Sequence, residues 1–323
     1  KGDITMIGRM SSNQIHQSGL NVILDAQAKL SRTQEQLASG KQLLNPSDDP
    51  VAAAQIQNIR SELARIDTLQ SNISRASSEL AMVEDSVANV EGLLMRAREL
   101  AVRGANDSLS PQDRKIIATE IDTLREQLIA AANTQSSDGD YIYAGYAVSA
   151  APYTDATVNA TYAGDAGVRA INIAPGLTVN TRFPGQDVFG QGSGATGQIN
   201  AFEALAVLSA GLRGNASAAI TSLTNNGTAV TQDDAINISM QALDSNLENV
   251  RSVRTDLGVR MSRVDDQQSL NENFNVRLQD TLSGLEDLDY TKAITEMNLQ
   301  MVALEAAQKA YTKTQSLSLF NYL

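Results

Sequence analysis

The sequence predicts a mainly α-helical, multidomain protein: a long coiled-coil helical rod, a terminal helix pair and an inserted β-rich domain. Ile59, Ile66, Ile73, Leu80, Val87, Leu94 and Ala101 recur every seven residues, with Leu69, Ala76, Val83, Val90 and Ala97 as a second series. These are the a and d positions of a coiled coil. The 13 aromatic residues avoid the first 140 positions, and eight of them fall between Tyr141 and Phe202. A compact domain normally buries large rings, so the N-terminal stretch packs through Leu, Ile, Val and Ala on helices, and a different domain interrupts it. Ten of the 21 glycines and three of the six prolines lie between Asp138 and Asn200, the punctuation of turns and short strands.

In chain order, Leu20, Ile23, Leu30 and Leu37 form an amphipathic stripe interrupted by Gln27 and Gln34. A long helix starts at Pro50, because Asp49 can cap it and Pro suits the first helical position, and it stops near Gly104. Ser110-Pro111 opens a second helix with Ile117, Ile121, Leu124, Leu128 and Ala131 on one stripe, folded back antiparallel. Val168 to Ile173 and Leu177 to Phe183 read as strands, Asn200 to Leu212 as a short helix, and Gly214 to Thr231 as a polar return.

Ile236, Leu243, Val250, Leu257 and Val264 then repeat every seven residues beside Met240, Leu247 and Met261. Polar Gln268 and Asn271 interrupt the series before Leu278, Leu282 and Leu285 resume it. No one of these helices can bury its stripe alone, so the three pack together. The last stripe, Ile294, Met297, Met301, Leu304 and Tyr311, is interrupted by Gln308 and leads to an apolar tip, Leu317 to Leu323. The expected domains are 1–45 with 286–323, 46–140 with 232–285, and 141–231. Both end segments lack a globular neighbour in sequence, so their apolar faces are expected to be buried against neighbouring molecules.

Several functions are excluded early. A formal net charge of -12, from 25 basic and 37 acidic side chains, gives no footprint for nucleic acid. Without cysteine there is no disulfide framework, Cys-ligated metal or thiol nucleophile. No stretch approaches the roughly 20 apolar residues of a membrane-spanning helix, so no membrane insertion is expected. The first residues lack a secretory signal pattern, so an exported chain would leave by another route. Lys1 to Thr5 read as residues ahead of a natural start near Met6 or Met10.

The chemistry-bearing motifs have plain structural readings. Gly192, Gly194 and Gly197 have dinucleotide-fingerprint spacing, but no strand precedes them and no acid follows between Glu203 and Asp233. His16 is the one imidazole, which argues against triads and His-rich metal sites. Asp48-Asp49 reads as a helix cap, Asp265-Asp266 as a solvated helix face and Asp138-Gly-Asp140 as a turn. No catalytic, cofactor-binding or metal residue is expected.

The segment Leu30-Ser-Arg-Thr-Gln-Glu-Gln-Leu-Ala-Ser-Gly40, continued by Asn45-Pro-Ser-Asp-Asp-Pro50-Val-Ala-Ala-Ala, resembles the N-terminal signature of the bacterial flagellin family. Within it, the Asp-Asp-Pro form is closer to the branch that joins hook to filament than to the filament subunit, which usually runs into Asp-Asp-Ala-Ala-Gly. Ala303-Leu-Glu-Ala-Ala-Gln308 and the ending Leu317-Ser-Leu-Phe-Asn-Tyr-Leu323 fit that branch. Tyr141-Ile-Tyr-Ala-Gly145 and Leu257-Gly-Val-Arg260 fit as well.

The resemblance covers about residues 8–153 and 233–323 and is absent across the middle. It implies paired terminal helices, a helical rod and an outer strand-rich domain. It also implies export through the flagellar type III apparatus, a cytoplasmic chaperone bound near the C-terminus, and self-association in a helical ring between a hook component and filament flagellin. The assembly residues expected are Leu20, Ile23, Leu30 and Leu37 at one end and Ile294, Met297, Met301, Leu304, Tyr311, Leu319, Phe320 and Tyr322 at the other. The alternatives are a filament flagellin, an exported flagellin-like enzyme and a cytoplasmic coiled-coil scaffold.

Overall fold

The computed structural model describes residues 12–154, 160–192, 199–215 and 231–320. Its helices are α1 (Ser12–Ser39), α2 (Pro50–Gly104), α3 (Pro111–Ala132), α4 (Gly185–Phe189), α5 (Ala201–Leu212), α6 (Gln232–Glu286) and α7 (Tyr290–Phe320). One antiparallel hairpin joins β1 (Ala170–Ala174) to β2 (Leu177–Asn180). The chain divides into two units, Lys1–Arg65 with Asn273–Leu323 and Ile66–Glu272. The middle segment 141–231 therefore falls within the second unit, together with residues 66–132 and 232–272 of the helices. Among the described residues no helix is long and apolar enough to cross a membrane.

Helix boundaries follow the capping chemistry. Asp49 Oδ1 accepts the Val51 and Ala52 backbone N–H groups at 3.0 Å each, satisfying donors that the first turn of α2 would leave orphaned. Asp49→Ala should lower stability by about 1 kcal/mol, read as a lower denaturation midpoint and as faster amide exchange at Val51 and Ala52. Ser110 caps α3 in the same way, accepting Asp113 N–H at 3.2 Å.

In the second unit the heptad positions of α2 from Ile66 to Ala101 are buried, as are the stripes of α3 and of α6 from Ile236 to Val264. Ion pairs hold α2 antiparallel to α6. Arg254 reaches Glu84 at 2.6 Å and Glu91 at 2.7 Å, Arg251 reaches Glu91 at 3.1 Å, and Arg98 pairs with Asp244. Hydrogen bonds from Arg254, then Arg251, hold the Glu91 carboxyl below the usual carboxylate range against the opposing effect of burial.

The inserted segment holds less strand than its composition suggests. Among the described residues it has one hairpin, with Ile171 opposite Val179, two short helices and an isolated bridge between Tyr153 and Tyr162, the remainder being turns and irregular chain. Rings do the packing instead. Tyr143, Tyr153, Phe189 and Phe202 are fully buried, with Tyr153 and Phe202 centroids 4.7 Å apart and Phe189 and Phe202 5.1 Å apart. This core is continuous with the helices. The Tyr143 hydroxyl donates to Ser86 Oγ of α2 at 2.9 Å, Thr181 donates to Glu79 at 2.6 Å, and Arg260 of α6 lies 4.1 Å over the Phe183 ring. Turn and loop hydrogen bonds pair the backbone there in place of a larger sheet, among them Ile142 N–H to Thr134 O at 3.1 Å, Ala163 N–H to Pro152 O at 2.8 Å and Gly185 N–H to Tyr143 O at 3.0 Å.

Candidate assembly interface

In the first unit α1 and α7 pack antiparallel. The Thr33 hydroxyl donates to Gln300 Oε1 at 3.0 Å. Nearer the N-terminus, a Cβ on Gly19 would lie 2.8 Å from the Tyr311 ring, so only glycine admits that ring. At the other end, Gly40 adopts φ +70 and lies against the Tyr290 hydroxyl.

The segment after α1 is tied to the turn between α6 and α7. Gln42 N–H donates to Glu286 O at 2.8 Å, and Leu288 N–H to Gly40 O at 3.0 Å. The Glu286 carboxylate takes Lys41 and a two-pronged contact from Arg60 at 2.7 and 2.8 Å. Hydrogen bonding, first from Lys41 and also from Arg60, holds Glu286 below the ordinary Glu value. A lowered folded-state value means that the clasp stabilises fully above the unfolded value and loses its effect as pH falls through the folded one. Glu286→Gln should therefore weaken protection of residues 40–44 and 286–290 at neutral pH and flatten its acid dependence. Unchanged exchange profiles across pH 3–7 would remove the clasp from the account.

The heptad residues divide between two environments. Ile23, Leu30 and Leu37 of α1 and Met297, Leu304 and Tyr311 of α7 are half-buried. Leu20, Ile294 and Met301 are 48%, 46% and 42% exposed. The Leu319 and Phe320 side chains and all of Tyr322 lie outside the described residues, as does the His16 side chain.

Each end helix is the other's partner, as the expected terminal helix pair requires, and the contacts are made across more than 260 residues. The pair still buries little. Ile56 and Ala293 are the only buried hydrophobic side chains of this unit among the described residues, whereas it carries eleven of the 18 exposed large ones. Val22, Leu24, Leu299 and Val302 belong to that exposed set and lie off the heptad stripe, so a single-stripe reading misses them, while exposed Tyr290 continues the stripe seven residues before Met297.

The motifs weighed for chemistry have structural roles. Asp48 accepts Asn45 N–H at 3.1 Å and pairs with Arg32 at 3.0 Å. Asp265 and Asp266 are exposed on α6. Asp140, at the Gly139 turn, pairs with Arg182 at 3.0 Å. Gly192 lies against Asn200 and Glu203, the members of the α5 capping box, while Gly194 and Gly197 lie outside the described residues. Among the described residues no three His, Cys, Asp or Glu side chains are grouped to hold a metal ion.

A unit of long helices whose terminal pair exposes apolar surface is an assembly subunit in form, and the comparisons agree. Residues 10–148 match the bacterial flagellin N-terminal helical region and residues 240–323 the bacterial flagellin C-terminal helical region. The chain belongs to the bacterial flagellin family. Within that family it is similar to flagellar hook-associated protein 3 of Escherichia coli strain K12, 29% identical over 97% of this chain and 98% of the relative. A flagellin of Listeria innocua is 26% identical over 83% of this chain and 82% of its own. The crystal structure of the flagellar junction protein FlgL from Legionella pneumophila shares the fold, with a TM-score of 0.58, 19% identity, and coverage of 73% of this chain and 100% of that one.

Proposed function

We propose that this protein is a structural, non-enzymatic adaptor of the bacterial flagellum, joining hook to filament by helical packing of its copies. The observation that carries the reading is the contrast in burial between the two units. Residues 66–272 enclose a continuous core, while the α1–α7 pair leaves apolar side chains in water. Such a pair gains stability when neighbours cover it, so assembly and ordering of the ends are coupled. Full-length similarity to hook-associated protein 3 supports the junction role over that of a filament subunit.

In this reading the ring of copies contacts a neighbouring hook-associated protein on one side and filament flagellin on the other. The protein resides outside the cell, having been exported unfolded from the cytoplasm. A flagellar export chaperone binds the C-terminal region beforehand, shielding the stripe that includes Met297, Met301 and Leu304. The assembly residues are those of the two end stripes, Leu20, Ile23, Leu30 and Leu37 with Ile294, Met297, Met301, Leu304, Tyr311, Leu319, Phe320 and Tyr322.

Adding purified chain to hooks and to filament seeds tests the role. An adaptor adds a short zone that stops and then accepts flagellin. Long polymers on filament seeds would make the protein a flagellin instead.

A further inference from the structure

We infer that a polar cleft in the second unit, between α6 and the chain around α4, binds a neutral sugar. The inference is independent of the junction role and of the end helices. Two cavities of 270 and 500 Å3 meet there, sharing Gly190, Gln191 and Asn249 in their walls, and the larger has the volume of a small-molecule site. Helix α6 contributes Ser245, Asn249 and Ser252, whose spacing of four and three puts them on one face. Gln186 of α4 and Gln191 just after it line the same cleft. Among the described residues none of these five side chains hydrogen-bonds within the protein. Ser61, Ser74 and Ser78 return their hydroxyls to the carbonyl four residues back, whereas Ser245 and Ser252 keep theirs open to the cleft.

Asn246 supplies a second observation. It lines the smaller cavity and is 2% exposed. Its amide group donates to Ala242 O at 2.8 Å and Ile199 O at 3.4 Å, which leaves Oδ1 buried without a partner. Such an acceptor carries a desolvation cost until a donor reaches it. Gly190 lies against it, with φ +81, and a Cβ at that position would come 2.5 Å from Oδ1. A side chain there would close over the acceptor, and glycine keeps that wall thin. The class of ligand follows from the rest of the lining. Its one cation, Arg260, pairs with Asp256 at 2.5 Å and lies over the Phe183 ring, so no free positive charge awaits an anion. Among the described residues no acids are grouped to hold a metal ion. What remains is amide and hydroxyl, groups that donate and accept together, as every sugar hydroxyl does.

The test titrates the isotope-labelled full chain with glucose, galactose and N-acetylglucosamine and follows the side-chain amide resonances of Gln186, Gln191, Asn246 and Asn249. At least one sugar should give saturable shifts confined to these signals, with a dissociation constant of about 1 mM or tighter. Asn249→Ala with Ser252→Ala, both at exposed positions, should weaken that binding about fivefold or more, with helix content unchanged by circular dichroism. No saturable shift from any of the three sugars up to about 10 mM overturns the inference. Binding that the double variant retains in full overturns it too, because the sugar then sits elsewhere. A stronger response of the same signals to inorganic phosphate does so as well, since it would make the cleft an anion site.

Discussion

Phe189→Ala is expected to lower the stability of residues 66–272 by about 3–5 kcal/mol, the cost of emptying a filled aromatic site. Phe189 is fully buried, with its ring centroid 5.3 Å from Tyr143, 5.4 Å from Tyr153 and 5.1 Å from Phe202. No small shift of one neighbour fills the gap, because two of those rings are held elsewhere. Tyr143 is hydrogen-bonded to Ser86, and Phe202 lies in α5, whose Ser209 donates to Asp122 of α3 at 2.5 Å.

The loss should appear as a fall in melting temperature of roughly 10 °C, at about 2–4 °C per kcal/mol for a unit of this size. It should appear equally in helix signal and in tyrosine fluorescence, because the inserted residues and the helices share one buried cluster. If tyrosine fluorescence is lost at the lower temperature while the helices melt as before, the insertion is a separately stable body and the shared core carries no coupling.

That coupling marks where the sequence was legible and where it was not. The seven-residue series of α2 and α6 and the caps at Asp49 and Ser110 rest on local spacing, and the structure has α2 starting at Pro50 and ending at Gly104 as that spacing predicts. The insertion was legible in its ring content and in its one hairpin. Its fold was not, because rings pack by shape across distant segments and turn residues do not say which hydrogen bonds close them. The Glu286 clasp was equally hidden, since Lys41, Arg60 and Glu286 meet only through tertiary contact. At the ends the apolar stripes were plain to read. What they did not reveal is that residues flanking the paired stripes, such as Val22 and Leu299, form the outward surface.

Gly19→Leu should cripple assembly while leaving the main core untouched. A Cβ at position 19 would meet the Tyr311 ring at 2.8 and 3.4 Å, and a leucine there has three more carbons to place. The ring is a rigid plane on α7, so the helices must separate. The pair has little to resist this, since Ala293 and Thr33 are the only buried side chains of the two helices among the described residues. Separation also breaks the alignment of the α1 and α7 side chains that together make the outward surface.

Association should fall at least tenfold, while residues 66–272 melt within about 1 °C of the parent, because neither Gly19 nor Tyr311 belongs to the buried cluster of that unit. Tyr311→Ala placed in the same chain should restore part of the association by giving the leucine room, an outcome that simple unfolding of α1 would not produce. If Gly19→Leu associates as the parent does, contact between Gly19 and Tyr311 does not hold the interface, and the outward surface must be formed by one helix alone.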